Sequence, residues 1–334
     1  MNTSVQATIP MIDVSPLSGG SRDGLDKVAG EIGEACREIG FFYVANHSVA
    51  PELMQAAFDT SAAFFAQDEA IKKKALYNAA SNRGYIPMKG ESLDPNMPAD
   101  LKEAFNIGLE LLADDPEILA GQMFRAVNIW PELAGFRDTM LAYFDACHKL
   151  GCSIHEAFAT DLGLATNFFD DKLDKPMANL RLLHYPPAPA RLETGQLGAG
   201  EHTDYGCITL LATDAVGGLQ VRTRSGQWLD APHVEGAFVC NIGDCLMRWT
   251  NDIYVSTPHR VVSPAGKERY SIAFFLDPNP EADIACLPGC ATPDRPARYQ
   301  PIRGDEFLLS RLSPTYEKSG LSKAGAAASG PGEG

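Results

Sequence analysis

The chain has 334 residues, with 28 Lys+Arg against 43 Asp+Glu, a formal net charge of −15 and 45% hydrophobic residues. This composition excludes disorder for the bulk of the chain, and its acidity argues against a protein that grips nucleic acid or anionic lipid through a basic surface, because the long-range field repels both. A small molecule is the expected partner, and the sequence leaves the oligomeric state open. No run approaches the roughly 18 apolar residues of a membrane span, no leader-like segment is evident near residue 1, and the cytoplasm is the expected compartment. Cys36, Cys147, Cys152, Cys207, Cys240, Cys245, Cys286 and Cys290 are scattered without a CxxC pair and read as reduced core thiols.

Apolar residues at Leu25, Val28, Ala29, Ile32, Cys36 and Ile39 recur at helical spacing, and Gly40 stands where a left-handed residue would end the helix. A helix over Arg22–Ile39 is predicted, followed by a buried strand over Gly40–Ala45. Pro51 opens a second predicted helix that runs to Phe65. The Gly-, Pro- and Asn-rich stretch from Ala80 to Pro98 predicts loop, and Ala104–Leu109 a strand. The longest helical pattern runs from Pro131 to Leu162. Beyond Met177 the texture changes to short apolar runs: Leu180–Tyr185, Cys207–Ala212, Gly218–Val221, Ala237–Ile242, His259–Val262, Tyr270–Leu276 and Glu306–Leu309. Such spacing predicts an antiparallel sandwich or barrel. The Gly- and Pro-rich segment 318–334 is expected to be a flexible tail.

Two histidines carry the chemistry. His202-Thr-Asp204 heads a strand-like segment, and in a strand residues two apart share a face, so an imidazole and a carboxylate can grip one metal ion. Alone, an H-x-D tripeptide often arises by chance. His259 lies 57 residues downstream at the start of another predicted strand, where a folded sheet can bring it to the first pair. Two His and one carboxylate on one triangular face leave open positions on an octahedral iron, as oxygen chemistry requires. A structural zinc site would instead close its fourth position. Ten residues on, Arg269-Tyr-Ser271 again places two side chains on one face, where a guanidinium fork and a hydroxyl form a carboxylate clamp. The bland reading is a surface arginine beside a cross-strand serine.

In order, Ile9-Pro10-Met-Ile-Asp13, Gly40-Phe-Phe-Tyr-Val-Ala-Asn-His47, Arg83-Gly-Tyr85, Lys102-Glu-Ala-Phe105, His184-Tyr-Pro-Pro187, His202-Thr-Asp204, Asn241-Ile-Gly-Asp244, Thr250-Asn251, Ser256-Thr-Pro-His259-Arg-Val261 and Arg269-Tyr-Ser271 span most of the chain. Together they resemble the iron(II)- and 2-oxoglutarate-dependent dioxygenases of the isopenicillin N synthase-like family. The resemblance implies a mainly β fold with α, a double-stranded β-helix (jelly roll) core with flanking N-terminal helices. It implies a helical cap region over 1–176 packed on an oxygenase region over 177–317. It further implies that His202, Asp204 and His259 hold Fe(II), that Arg269 and Ser271 bind the distal carboxylate of 2-oxoglutarate, and that Tyr185 lies in the same pocket. One position departs from many plant members, which place Asn where this chain has Leu183. With O2 as the second co-substrate, the implied reaction releases succinate and CO2 and removes hydrogen from a C–H bond. Related halogenases carry Gly or Ala in place of Asp204, so hydroxylation is the default outcome, with desaturation or ring closure as others.

Secondary substrate candidates are His184, Arg83, Tyr85, Phe105, Arg181 and Arg311, each of which also has a packing or solvated reading. His47, His148, His155 and His233 have no motif partner and read as structural. Asn241, Gly243 and Asp244 read as turn residues that set up the strand bearing His259. Three other functions fit the same motifs: an iron oxidase that needs no 2-oxoglutarate, a variant that breaks 2-oxoglutarate down to ethylene, and a jelly-roll binding protein without catalysis.

Overall fold

Ser21 accepts a hydrogen bond from the Gly24 amide and starts α1, Arg22–Glu38. The helix stops where Gly40 takes φ 68° and its N–H returns to the Ala35 carbonyl. A side chain at Gly40 would run into the Val255 carbonyl, so the turn requires glycine. The computed structural model describes residues 8–91, 98–187, 196–262 and 266–319. Before and after α1 lie β1 (Met11–Asp13) and β2 (Phe41–Ala45). The elements then run α2 (Pro51–Phe65), α3 (Glu69–Lys72), β3 (Gly84–Ile86), β4 (Glu103–Gly108), α4 (Pro116–Leu119), α5 (Phe136–Asp161) and α6 (Asp170–Leu173). The second half adds β5 (Asn179–Tyr185), β6 (Ala199–His202), β7 (Ile208–Thr213), β8 (Leu219–Arg222), β9 (Trp228–Asp230), β10 (Phe238–Ile242) and α7 (Asp244–Trp249). It ends with β11 (His259–Val261), β12 (Arg269–Leu276), β13 (Asp283–Ile284), β14 (Ile302–Arg303) and α8 (Gly304–Ser319).

The large sheet has the order β1-β2-β10-β7-β12-β5-β4-β3 and the small one β6-β11-β8-β9. They form an open jelly roll. Period-two alternation divides the side chains of the large sheet between two cores. Leu180 and Leu182 of β5 and Ile272, Phe274 and Leu276 of β12 join one cluster with residues of α1, α2 and α5. Leu183, Tyr185 and Ala273 join the other, with Leu219, Val221 and Val261 of the small sheet. Six of the eight cysteines are buried. Among the described residues no helix is long and apolar enough to cross a membrane.

Three expectations are corrected. The N-terminal region is not only helical, because β1 to β4 are built into both edges of the large sheet; strands of three residues such as β1 and β3 are too short to show a period. Glu306–Leu309 is not a strand but part of α8, whose first turn carries Asp305 and Glu306, and a four-residue apolar run does not separate the two. The long helix begins at Phe136, after Gly135 with φ 76°. From residue 320 on, the expected tail lies outside the described residues.

Candidate active site

His202 ends β6, and His259 opens β11 directly opposite it in the antiparallel register. Their rings stand 4.3 Å apart. Asp204 lies two residues beyond His202, outside any strand, so the shared face comes from the strand end and the following loop rather than from one continuous strand. Its Oδ1 is 3.7 Å from His202 Nε2 and 3.6 Å from His259 Nε2. One ligand atom from each of the three residues lies within 4.8 Å of the others.

The surroundings fit a metal. Asp204 Oδ2 accepts hydrogen bonds from Thr209 Oγ1 and from Asn241 Nδ2. His202 Nδ1 donates to the Gly200 carbonyl at 2.7 Å and His259 Nδ1 to the Thr257 carbonyl at 3.2 Å, which turns each Nε2 toward Asp204 Oδ1. Burial, and then the neighbouring His259, pushes His202 down to about 3. Burial alone would raise Asp204, but His259, His202, Thr209 and Asn241 together hold its carboxyl below the usual range. A neutral His202 imidazole and an ionised Asp204 carboxylate are protonation states that suit metal ligation.

Along the large sheet, Arg269 of β12 pairs in register with Tyr185 of β5, and its guanidinium lies 4.7 Å from the Tyr185 ring centroid. Its Nε donates to the Gly217 carbonyl at 2.7 Å and its Nη1 to Ser271 Oγ at 3.1 Å. Arg269 Nη2 is buried without a partner. A buried, unpaired guanidinium nitrogen in a pocket wall is a carboxylate-binding feature. The pocket is lined by His202, Asp204, His259, Arg269, Ser271 and Tyr185 together with Arg181, Asn179, Phe275 and Asp277.

Of the secondary candidates, the structure brings Arg181 into the pocket wall, where it is ion-paired with Glu91. His184 is not there. It stands on the opposite face of β5, stacked 4.7 Å from Tyr270 and bonded through Nδ1 to Glu103 at 2.7 Å. Tyr85 donates to the same Glu103 and Phe105 packs on Phe64 and Phe136, both in the helix-side core. Arg83 is buried against the carbonyls of Ser81 and Asn82, outside the pocket lining. Arg311 pairs with Asp244 rather than lining the pocket. The alternation rule accounts for these outcomes: His184 and Tyr185 are adjacent in one strand and cannot share a face. The same rule read from Tyr185 through Leu183 and Arg181 to Asn179, and from Arg269 to Phe275, marks pocket residues that the motifs pass over.

Comparison with known proteins agrees with this geometry. Residues 9–133 match the non-haem dioxygenase in morphine synthesis N-terminal family and residues 176–278 the 2OG-Fe(II) oxygenase superfamily. A 2-oxoglutarate-Fe(II) type oxidoreductase of Emericella nidulans is 36% identical over 317 residues, covering 93% of this chain and 91% of the relative. A full-length Neurospora crassa protein, solved as a crystal structure in complex with alpha-KG and thymine, superposes with a TM-score of 0.81 at 36% identity, over 92% of this chain and 96% of that one. The structure of JOX2 in complex with 2OG, Fe and JA gives 0.76 at 30% identity, over 91% and 85%. The chain belongs to the 2-oxoglutarate/Fe(II) dioxygenases of the isopenicillin N synthase-like family. It is an enzyme that uses Fe(II), 2-oxoglutarate and O2.

Proposed function

We propose that His202, Asp204 and His259 hold the Fe(II), that Arg269 and Ser271 hold the distal carboxylate of 2-oxoglutarate with Tyr185 in the same pocket, and that the enzyme hydroxylates a C–H bond of a small molecule. The observation that carries this reading is the convergence of three ligand atoms within 4.8 Å in a pocket whose wall also holds the unpaired Arg269 Nη2. When bound, the iron couples O2 activation to oxidative decarboxylation of 2-oxoglutarate, yielding succinate and CO2. The protein's own work is positional. Thr209 and Asn241 fix the Asp204 carboxylate, the backbone carbonyls of Gly200 and Thr257 fix the two imidazoles, and the Arg269 fork sets the co-substrate's orientation. Thymine and JA in the solved relatives, and the net charge of −15, support a small molecule over nucleic acid as the partner.

The test is anaerobic addition of Fe(II) and then 2-oxoglutarate to the metal-free protein. A weak visible metal-to-ligand charge-transfer band is expected, and it should vanish in His202→Ala. Iron binding without the band would overturn the co-substrate assignment and leave an oxidase that needs no 2-oxoglutarate.

A further inference from the structure

The pocket face of β5 and β12 continues well past the clamp. From Ser271 it runs through Ala273 and Phe275 to Asp277, with Arg181 opposite Ala273 and Asn179 opposite Phe275. Six residues of strand span about 20 Å, so a five-carbon diacid held by Arg269 does not reach the far end. The pocket residues at that end are left for the organic substrate.

The charged groups nearby are already matched. Arg181 is ion-paired with Glu91, and Lys102 Nζ is 2.8 Å from Asp100 and 3.9 Å from Glu91. Two polar side chains are not matched. Asn179 is 8% exposed, its Oδ1 is buried with no partner, and among the described residues its amide makes no hydrogen bond. Asp277 is 6% exposed, and among the described residues nothing donates to its carboxyl. A buried amide and a buried carboxyl left without partners in a pocket wall are groups that a ligand satisfies.

We propose that Asn179 and Asp277 are the specificity-determining end of the pocket, and that they select a small planar ring compound whose edge carries an N–H donor beside a carbonyl acceptor, a lactam or cyclic imide, over a carboxylic acid. The Asn179 carboxamide offers one donor and one acceptor side by side and meets an –NH–CO– edge in two parallel hydrogen bonds. Phe275, its register partner across the strands, supplies a flat apolar face beside that amide. Asp277 accepts from a further ring N–H. A carboxylate placed here would find both nearby cations, Arg181 and Lys102, already paired to acids. This inference rests on the oxygenase reading of the same pocket.

The test uses protein loaded anaerobically with Fe(II) and 2-oxoglutarate, the charge-transfer band serving as the check that the site is assembled. Calorimetric titrations then compare uracil with 1,3-dimethyluracil, 2-pyridone with N-methyl-2-pyridone, and all four with benzoate. The N–H compounds are expected to bind at least tenfold more tightly than their N-methyl counterparts and than benzoate. Asn179→Leu should abolish that preference while the band still forms at the same 2-oxoglutarate concentration. Equal affinities within each pair, binding of none of the ring compounds, or tightest binding by benzoate, with the band intact, overturns the proposal; the wild-type comparison decides this even where Asn179→Leu does not fold. Absence of the band in wild type overturns the oxygenase reading instead.

Discussion

Asn241 Nδ2 donates to Asp204 Oδ2 at 2.7 Å, and so leaves Oδ1, the oxygen nearer both imidazoles, for the metal. Asn241 is 3% exposed and sits on β10 opposite Thr209 of β7, which bonds the same oxygen. Removing such an outer partner typically costs roughly 10–100-fold in metal affinity. Asn241→Leu is therefore expected to weaken Fe(II) binding by that order while the fold persists, as read by metal titration alongside circular dichroism. Unchanged affinity would show that Thr209 alone suffices.

Arg269 is 1% exposed and presents a single unpaired nitrogen. A hydrogen bond to a charged group contributes about 1.5–3 kcal/mol, so Arg269→Ala is expected to raise the 2-oxoglutarate concentration for half-maximal band formation by roughly 10–100-fold, with iron binding retained. Equal co-substrate affinity in the two proteins would refute the clamp.

Asp277 gives a pH signature. Burial, and then the charge of Asp204, pushes its carboxyl up to about 7 from an ordinary 3.8. The folded protein thus holds this proton more tightly than the unfolded chain, so the associated stability is present at low pH and is lost as pH rises from about 4 through about 7. In metal-free protein, Asp277→Asn should melt progressively higher than wild type as pH is raised from about 5 to about 8. Parallel melting curves across that range would contradict the assignment.

Glu103 lies on the other face of the sheet, where it accepts from Lys72 at 2.7 Å, from Tyr85 and from His184. Glu103→Ala strands a buried ammonium, a loss of about 3–5 kcal/mol, to be read by urea denaturation. The folded fraction should still form the 2-oxoglutarate band, because none of these four side chains lines the pocket.

Much of this was legible in the amino-acid order. The helices over residues 22–39 and 51–65 declared themselves by period and caps, and His202, Asp204, His259, Arg269 and Ser271 stood out as candidates through the order of motifs that resembles the family. His184 was misplaced because a motif places residues along a strand without saying which face each one takes. Asn179 and Asp277 have no motif at all; the register of β5 against β12, which depends on contacts distant in sequence, puts Asn179 in the pocket wall, and Asp277 follows the end of β12 into the same wall. Asn241 read as a turn former, since its partner Asp204 is 37 residues away.

Leu308 and Leu312 of α8 complete the pocket wall, and Arg311 between them pairs with Asp244, which also accepts from Thr203 of the metal loop. The helix that closes the cavity is thus the last described element of the chain, while the residues proposed to hold the iron and the co-substrate belong to interior strands and the loop after β6. Leu308 and Leu312 can therefore be varied to reshape one side of the cavity without touching the strands that carry Asn179, His259 and Arg269.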